Sequence, residues 1–514
     1  MLVSYPPYIL SFPFIMIYCI RITSKGTTRE MILKLSKNMT KYRILIIIAT
    51  LLAVFSPKTQ AQEAYPFIRY EANVLRYDST AAPMRHFFQK WQKVTSTGSG
   101  SINIVHIGGS HVQAGTFPHR VRTNILSAYP TLVGGRGLVF PYSAAAKCNN
   151  PGDYRVHCVE KVDLIRNVHK NPAEPLGLCG IAITAHDTLT RIQMLSNDHS
   201  VDYAVSHIVI LGHSPQGIVP LISYENREVF PSYVDPATHR YIFNLKQTVD
   251  SFDIVLPCET GETFTLTGVM LGSRHAGITY HSIGVNGASV PDYLKCENLT
   301  SDLRLVRPDL VIFGIGINDA HGTDFDTVTF KENYLRLCDS MRAANPDCAF
   351  IFITNNDCYR KAGRRYTVNK NGELAREVFY RLADITGGAV WDQFEIMGGL
   401  TSMEKWQKAG LAQSDKVHFT HAGYQLLGDM LSEALTTEFN KPLPSTRPLA
   451  HKKAEPKTVR SSADTAPNEK PLPRGLRRKP GREKHAAIQR PNNDNNQQSN
   501  KTGVDGDRFP YISQ

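Results

Sequence analysis

A serine sits where a strand-like run ends and a helix-like run begins, in "NIVHIGGSHVQAG" at residues 103–115. Glycines end strands and serine caps helices, so Gly108-Gly109-Ser110 alone also fits a plain turn. At such an elbow, however, the hydroxyl of Ser110 is exposed and has a helix N-terminus behind it, which suits a nucleophile. A serine hydroxyl is weak and needs a base within hydrogen-bond reach. The stretch "SDKVHFTHAGY", 414–424, offers His418 as that base, with Asp415 three residues earlier to fix its tautomer and stabilise its cation. An acyl-transfer intermediate also needs donors aimed at its oxyanion. The backbone N–H groups of Ser110 and of Gly287 in "VNGAS" (285–289), with the side-chain amide of Asn318 in "GIND" (316–319), are suited to that work. Each piece alone also reads as a tight turn or a helix cap. Together, in this order and each at a strand exit, they point to a nucleophilic serine site.

What must position them is a set of five near-continuous apolar runs: "INIVHI" (102–107), "ITYHSIG" (278–284), "DLVIFGI" (309–315), "CAFIFIT" (348–354) and "GAVWD" (388–392). Such runs suit strands buried on both faces. Segments with apolar residues at helical spacing lie between them, for example 327–344 and 420–439. The expected fold is α/β: a three-layer α/β/α, flavodoxin-like domain with a five-stranded parallel sheet. Functional groups in such sheets gather at the carboxyl ends of the strands, where all four pieces fall. The rhythm breaks between the first two runs. About 150 residues there hold short strand-like runs separated by Gly, Pro and Asn, and predict an inserted β-sandwich.

The four blocks "IGGS", "VNGAS", "GIND" and "DKVH" resemble those of the SGNH, or GDSL-like, hydrolases, over roughly 100–128 and 279–439. That resemblance implies Ser110 as nucleophile, Asp415 and His418 as the rest of a triad, and Ser110, Gly287 and Asn318 as the oxyanion hole. It implies no metal and no organic cofactor. One position departs: Gly109 stands where the family has aspartate. His111 after the serine, the β-rich insertion and the ending "GLAQSDKVHFTHAGY" (410–424) are similar to exported peptidoglycan O-acetylesterases, whose insert resembles carbohydrate-binding modules. The implied partner is an acetylated polysaccharide, and the implied activity is removal of its O-acetyl groups. Transfer of the acetyl group to a sugar, or glycan binding by a degenerate hydrolase domain, are the competing functions. Lipase-like activity is disfavoured because no apolar lid segment is evident.

The chain's 514 residues and net charge of +12 divide unevenly. Residues 1–61 carry +7 and 441–514 carry +9, so the remainder is −4. An acidic body argues against a nucleic-acid-binding core. From Met39, a basic pair (Lys41, Arg43), the apolar run Ile44–Phe55 and Thr59-Gln60-Ala61 form a signal-peptide pattern, too short to span a bilayer. Translation is expected to start at Met39, and the product to be exported, periplasmic or secreted, without a stable membrane anchor. The domain plan is therefore a leader at 1–61, the first part of the hydrolase domain at 62–129, the insert at 130–277, the second part at 278–440, and a basic disordered tail at 441–514. Eight cysteines follow the leader, with no C-x-x-C pair, so their pairing is open. The other histidines lack metal-ligand spacing. His421 reads as a helix N-terminal residue and Trp391 as packing.

Overall fold

Buried apolar runs give the central sheet. The computed structural model describes residues 65–441, except 146–147, 199, 202, 204, 274–276 and 364; the expected leader and tail lie outside the described residues. Its strands are β1 (Leu75–Arg76), β2 (Ser101–Gly108), β3 (Val133–Gly135), β4 (Gly277–Gly284), β5 (Leu310–Gly314), β6 (Ala349–Ile353) and β7 (Ala389–Trp391), in the spatial order β1-β7-β6-β5-β2-β4-β3. The pairs from β7 through β3 are parallel, and β1 closes one edge antiparallel to β7. The sheet is thus seven strands wide rather than five. The two extra strands are only two and three residues long, and Val-Gly-Gly carries no apolar run that could announce β3.

Helices cover this sheet because their apolar residues recur at three- and four-residue spacing. The helix Ala82–Thr97 buries Met84, Phe87, Phe88, Trp91 and Val94. It and Thr116–Ala128 pack against His421–Phe439, whereas Leu299–Val306 and Asn371–Thr386 pack against Thr327–Ala344. Among the described residues no helix is long and apolar enough to cross a membrane.

The chain leaves the central sheet at Gly135 and re-enters it at Gly277. In between, strands pair only antiparallel. Five of them form one sheet (154–158, 189–196, 221–224, 227–229, 251–257) and seven another (137–139, 163–166, 181–186, 205–213, 233–235, 240–249, 263–272). Alternating burial along "RYIFNL" shows the two-residue period that makes these strands rather than helices. One continuous cluster of buried apolar side chains includes residues from all three sheets. The eight cysteines of the described residues are free thiols, all buried except the half-buried Cys158.

Candidate active site

Three glycines stand in one row across adjacent strand ends: Gly108 on β2 pairs with Gly284 on β4 and Gly314 on β5. A Cβ on Gly284 would lie 2.4 Å from the Gln113 backbone nitrogen, so only glycine lets the next turn of chain settle onto the sheet edge. That turn is the short helix Ser110–Gln113, with Gly109 as its N-cap. The strand-to-helix elbow expected around Ser110 is formed in this way, with the serine half-exposed at the carboxyl end of β2.

His418 arrives from the far end of the chain. Hydrogen bonds that hold the loop 413–419 include Gln413 N–H to the His418 carbonyl (2.8 Å) and Asn356 Nδ2 to the Val417 carbonyl (3.1 Å), and Thr420 N–H to the Leu411 carbonyl (3.0 Å) fastens its flanks. Lys416 takes a left-handed φ of 56°, which tightens the turn between Asp415 and His418. Asp415 Oδ1 accepts from the Val417 and His418 N–H groups at 2.9 and 3.0 Å, and Oδ2 lies 2.7 Å from His418 Nδ1. Burial works to raise the Asp415 carboxyl. The hydrogen bonds and charge of His418, with the Val417 N–H, outweigh it and hold the group down at about 2. An ionised carboxylate can only accept, so Nδ1 carries the imidazole proton and Nε2 is left as an acceptor. Nε2 lies 2.8 Å from Ser110 Oγ. Ser110, His418 and Asp415 are therefore brought together as one hydrogen-bonded chain, in the order and tautomer that would draw a proton from the serine hydroxyl.

The two remaining predicted positions flank the serine. Gly287 is exposed at φ 83°, in a turn that Gln113 Oε1 ties down by accepting from the Asn286 N–H at 2.7 Å. Asn318 is exposed in the first turn of the helix Ile317–His321, and its Nδ2 donates to the Ala288 carbonyl at 2.9 Å. A Cβ on Gly109 would lie 3.2 Å from that same Nδ2, so the departing glycine is where the Asn318 amide passes closest to the elbow.

Apart from His111, which the resemblance already marks, the residues that support this arrangement carried no signal of that role in the sequence. The Asp319 carboxyl accepts from the Val290 N–H and is pushed up to about 7 by burial, joining the Asn318 helix to the segment after Gly287. His111 lies with its ring centroid 5.2 Å from that of His418, and its Nδ1 is 2.8 Å from the Tyr424 hydroxyl. Burial and the neighbouring His418 push His111 down to about 3, so it is neutral and adds no charge beside His418. Gln113, Asp319 and Tyr424 make their contacts across 173, 29 and 313 residues, respectively, beyond any local pattern. The other readings of single residues hold: His421 starts a helix capped by Thr420, and Trp391 is fully buried.

Residues 264–426 match the model of the GDSL-like Lipase/Acylhydrolase family. The match takes in Gly287, Asn318, Asp415 and His418, and Ser110 lies upstream of it, across the antiparallel strands. No curated protein matches the chain. Among solved structures, a peptidoglycan O-acetylesterase is similar with a TM-score of 0.59 at 19% identity, over 71% of this chain and 99% of its own. An acetyl xylan esterase, AlAXEase, is similar at 19% identity and TM-score 0.25, over 31% of this chain and 81% of its own. A family 3 carbohydrate esterase from Talaromyces cellulolyticus is similar at 18% identity and TM-score 0.25, over 31% and 72%. The α/β fold is that of the SGNH hydrolases. Residues 264–426 are a domain of the GDSL-like lipase/acylhydrolase family, and the chain is a carboxylic ester hydrolase.

Proposed function

We propose that the chain is an exported serine esterase that removes O-acetyl groups from a polysaccharide, with peptidoglycan as one candidate, and that Ser110, His418 and Asp415 are its triad. The observation that carries this reading is the pair of hydrogen bonds, 2.8 and 2.7 Å, that links the three at the sheet edge. Ser110 Oγ attacks the acetyl carbonyl while His418 Nε2 takes its proton. The Ser110 and Gly287 N–H groups and the Asn318 amide receive the oxyanion. Nδ2 of Asn318 has two hydrogens and gives one to Ala288, so the second is available. Collapse expels the sugar hydroxyl, protonated by His418. Water then attacks the acetyl-serine with His418 again as base. No step calls for a metal or an organic cofactor. A sugar hydroxyl in place of water would make the same cycle an O-acetyltransferase.

The glycan substrate is supported by the antiparallel strands between Gly135 and Gly277, which we read as an inserted β-sandwich, close to the 130–277 span expected from sequence, between the two parts of the hydrolase domain. The test is release of acetate from chemically O-acetylated peptidoglycan and xylan, together with labelling by a serine-reactive fluorophosphonate. Acetate release and a label at Ser110 are expected; the absence of both would leave a glycan-binding protein with an idle hydrolase domain. The oxyanion assignment has its own check. Asn318→Ala is expected to cost about 10²–10³ in kcat with little change in KM, because the donor is needed chiefly in the transition state. A rise in KM with kcat intact would place Asn318 in substrate binding instead.

A further inference from the structure

One hairpin near this site has no part in the cycle above. It is formed by Tyr359–Ala362 paired antiparallel with Arg365–Val368. From Tyr359 to Lys370 the sequence holds five Lys or Arg and no Asp or Glu, within a body (62–440) whose net charge is −4. Arg360, Lys361, Arg365 and Lys370 form no ion pair with a described carboxylate, and the nearby Glu404 is taken by Lys416. Lys361, Arg365 and Lys370 are exposed.

Its fastening places it at the site. The Tyr359 N–H donates to the carbonyl of Lys416, inside the Asp415–His418 turn, at 3.1 Å. Lys416 Nζ in turn lies 4.5 Å from the Tyr359 ring centroid and 5.7 Å from that of Tyr366. On the other side, Arg360 Nη1 donates to the Gly322 carbonyl at 3.3 Å, and Asn371 Nδ2 donates to the Ala320 and Gly322 carbonyls at 3.0 and 2.8 Å, at the end of the helix that carries Asn318. The hairpin is thus bolted both to the turn that bears the base and to the helix that bears the amide. Cross-strand register sets Lys361 opposite Tyr366, on one face, so a cation and a partly exposed ring lie side by side. Like charges with no counterion repel one another, and an anion laid along them removes that repulsion. A sugar ring that carries a carboxylate fits both groups, its apolar face on the tyrosine and its charge on the lysine or arginine.

We propose that this hairpin is the arm that holds a carboxylate-bearing stretch of the glycan while its acetyl ester lies at Ser110. The proposal rests on the esterase reading, and the test separates the two. The variant Lys361→Gln/Arg365→Gln alters two exposed side chains outside the reacting groups. Binding to polygalacturonate is measured by affinity electrophoresis, without turnover, beside hydrolysis of p-nitrophenyl acetate, acetylated polygalacturonate and acetylated mannan. The variant is expected to bind polygalacturonate about fivefold more weakly at low salt and to raise KM for its acetylated form by a similar factor, since exposed charges contribute modestly each. Wild-type binding should weaken with salt, and rates on p-nitrophenyl acetate and mannan should not change. Equal binding of polygalacturonate by both proteins, or equal losses on mannan, would overturn the arm. No hydrolysis of any ester, with the binding difference intact, would overturn the esterase reading alone.

Discussion

Ser110→Ala and His418→Ala are each expected to lower kcat on p-nitrophenyl acetate by about 10⁶-fold, and the double variant by no more, because residues acting as a unit do not add. The 2.8 Å bond between Ser110 Oγ and His418 Nε2 is the physical ground: without the base the hydroxyl is not activated, and without the hydroxyl the base has nothing to activate. Residual turnover would come from the oxyanion donors and substrate binding alone. Thermal unfolding serves as the control. Ser110 begins a four-residue helix and His418 is 31% exposed at its side chain, so neither change opens a cavity in the core. Additive losses in the double variant would mean that the two groups act independently and would break the triad.

Asp415→Asn is expected to cost about 10⁴ in kcat with the loop still folded. The amide keeps one oxygen, enough to accept from the Val417 and His418 N–H groups as Oδ1 does now. What changes is the other position, where Oδ2 faces His418 Nδ1 at 2.7 Å. An amide N–H there turns the imidazole into the opposite tautomer, with its proton on Nε2 facing the serine. With the Asp415 carboxyl held at about 2, it is ionised throughout the mildly acid range, so the acceptor facing His418 Nδ1 stays in place there. An Asp415→Asn variant with full kcat would remove Asp415 from the triad.

How much of this could be read from residues follows from how local each signal is. Ser110 was legible because strand, glycines and helix start all fall within thirteen residues, and Asp415 with His418 because the turn needs only three. The strands of the sheet core were legible from their apolar runs, since Ile104, Val105, Ile107, Val311 and Phe352 are all fully buried. The edges were not: Leu75–Arg76 is too short to show a period, and Val133–Gly135 owes its place to β4 rather than to its own residues. The same applies to the supports. Gln113 tying down Asn286 and Tyr424 meeting His111 are contacts between distant segments, which only the folded chain defines. The hairpin 359–368 is a further case, as its cations break the alternation by which a strand is recognised.

The separation of 308 positions between Ser110 and His418 also sets a clock. On the proposed triad, a chain made from its N-terminus holds its nucleophile long before its base, and no shorter product that stops before His418 has both. Closing so long a loop is slow relative to local structure, and the antiparallel strands between must find non-local partners first. With that triad, ester cleavage would stay silent through synthesis and switch on only as the segment bearing His418 docks. Topology alone would then delay the chemistry, with no propeptide or inhibitor required for the delay.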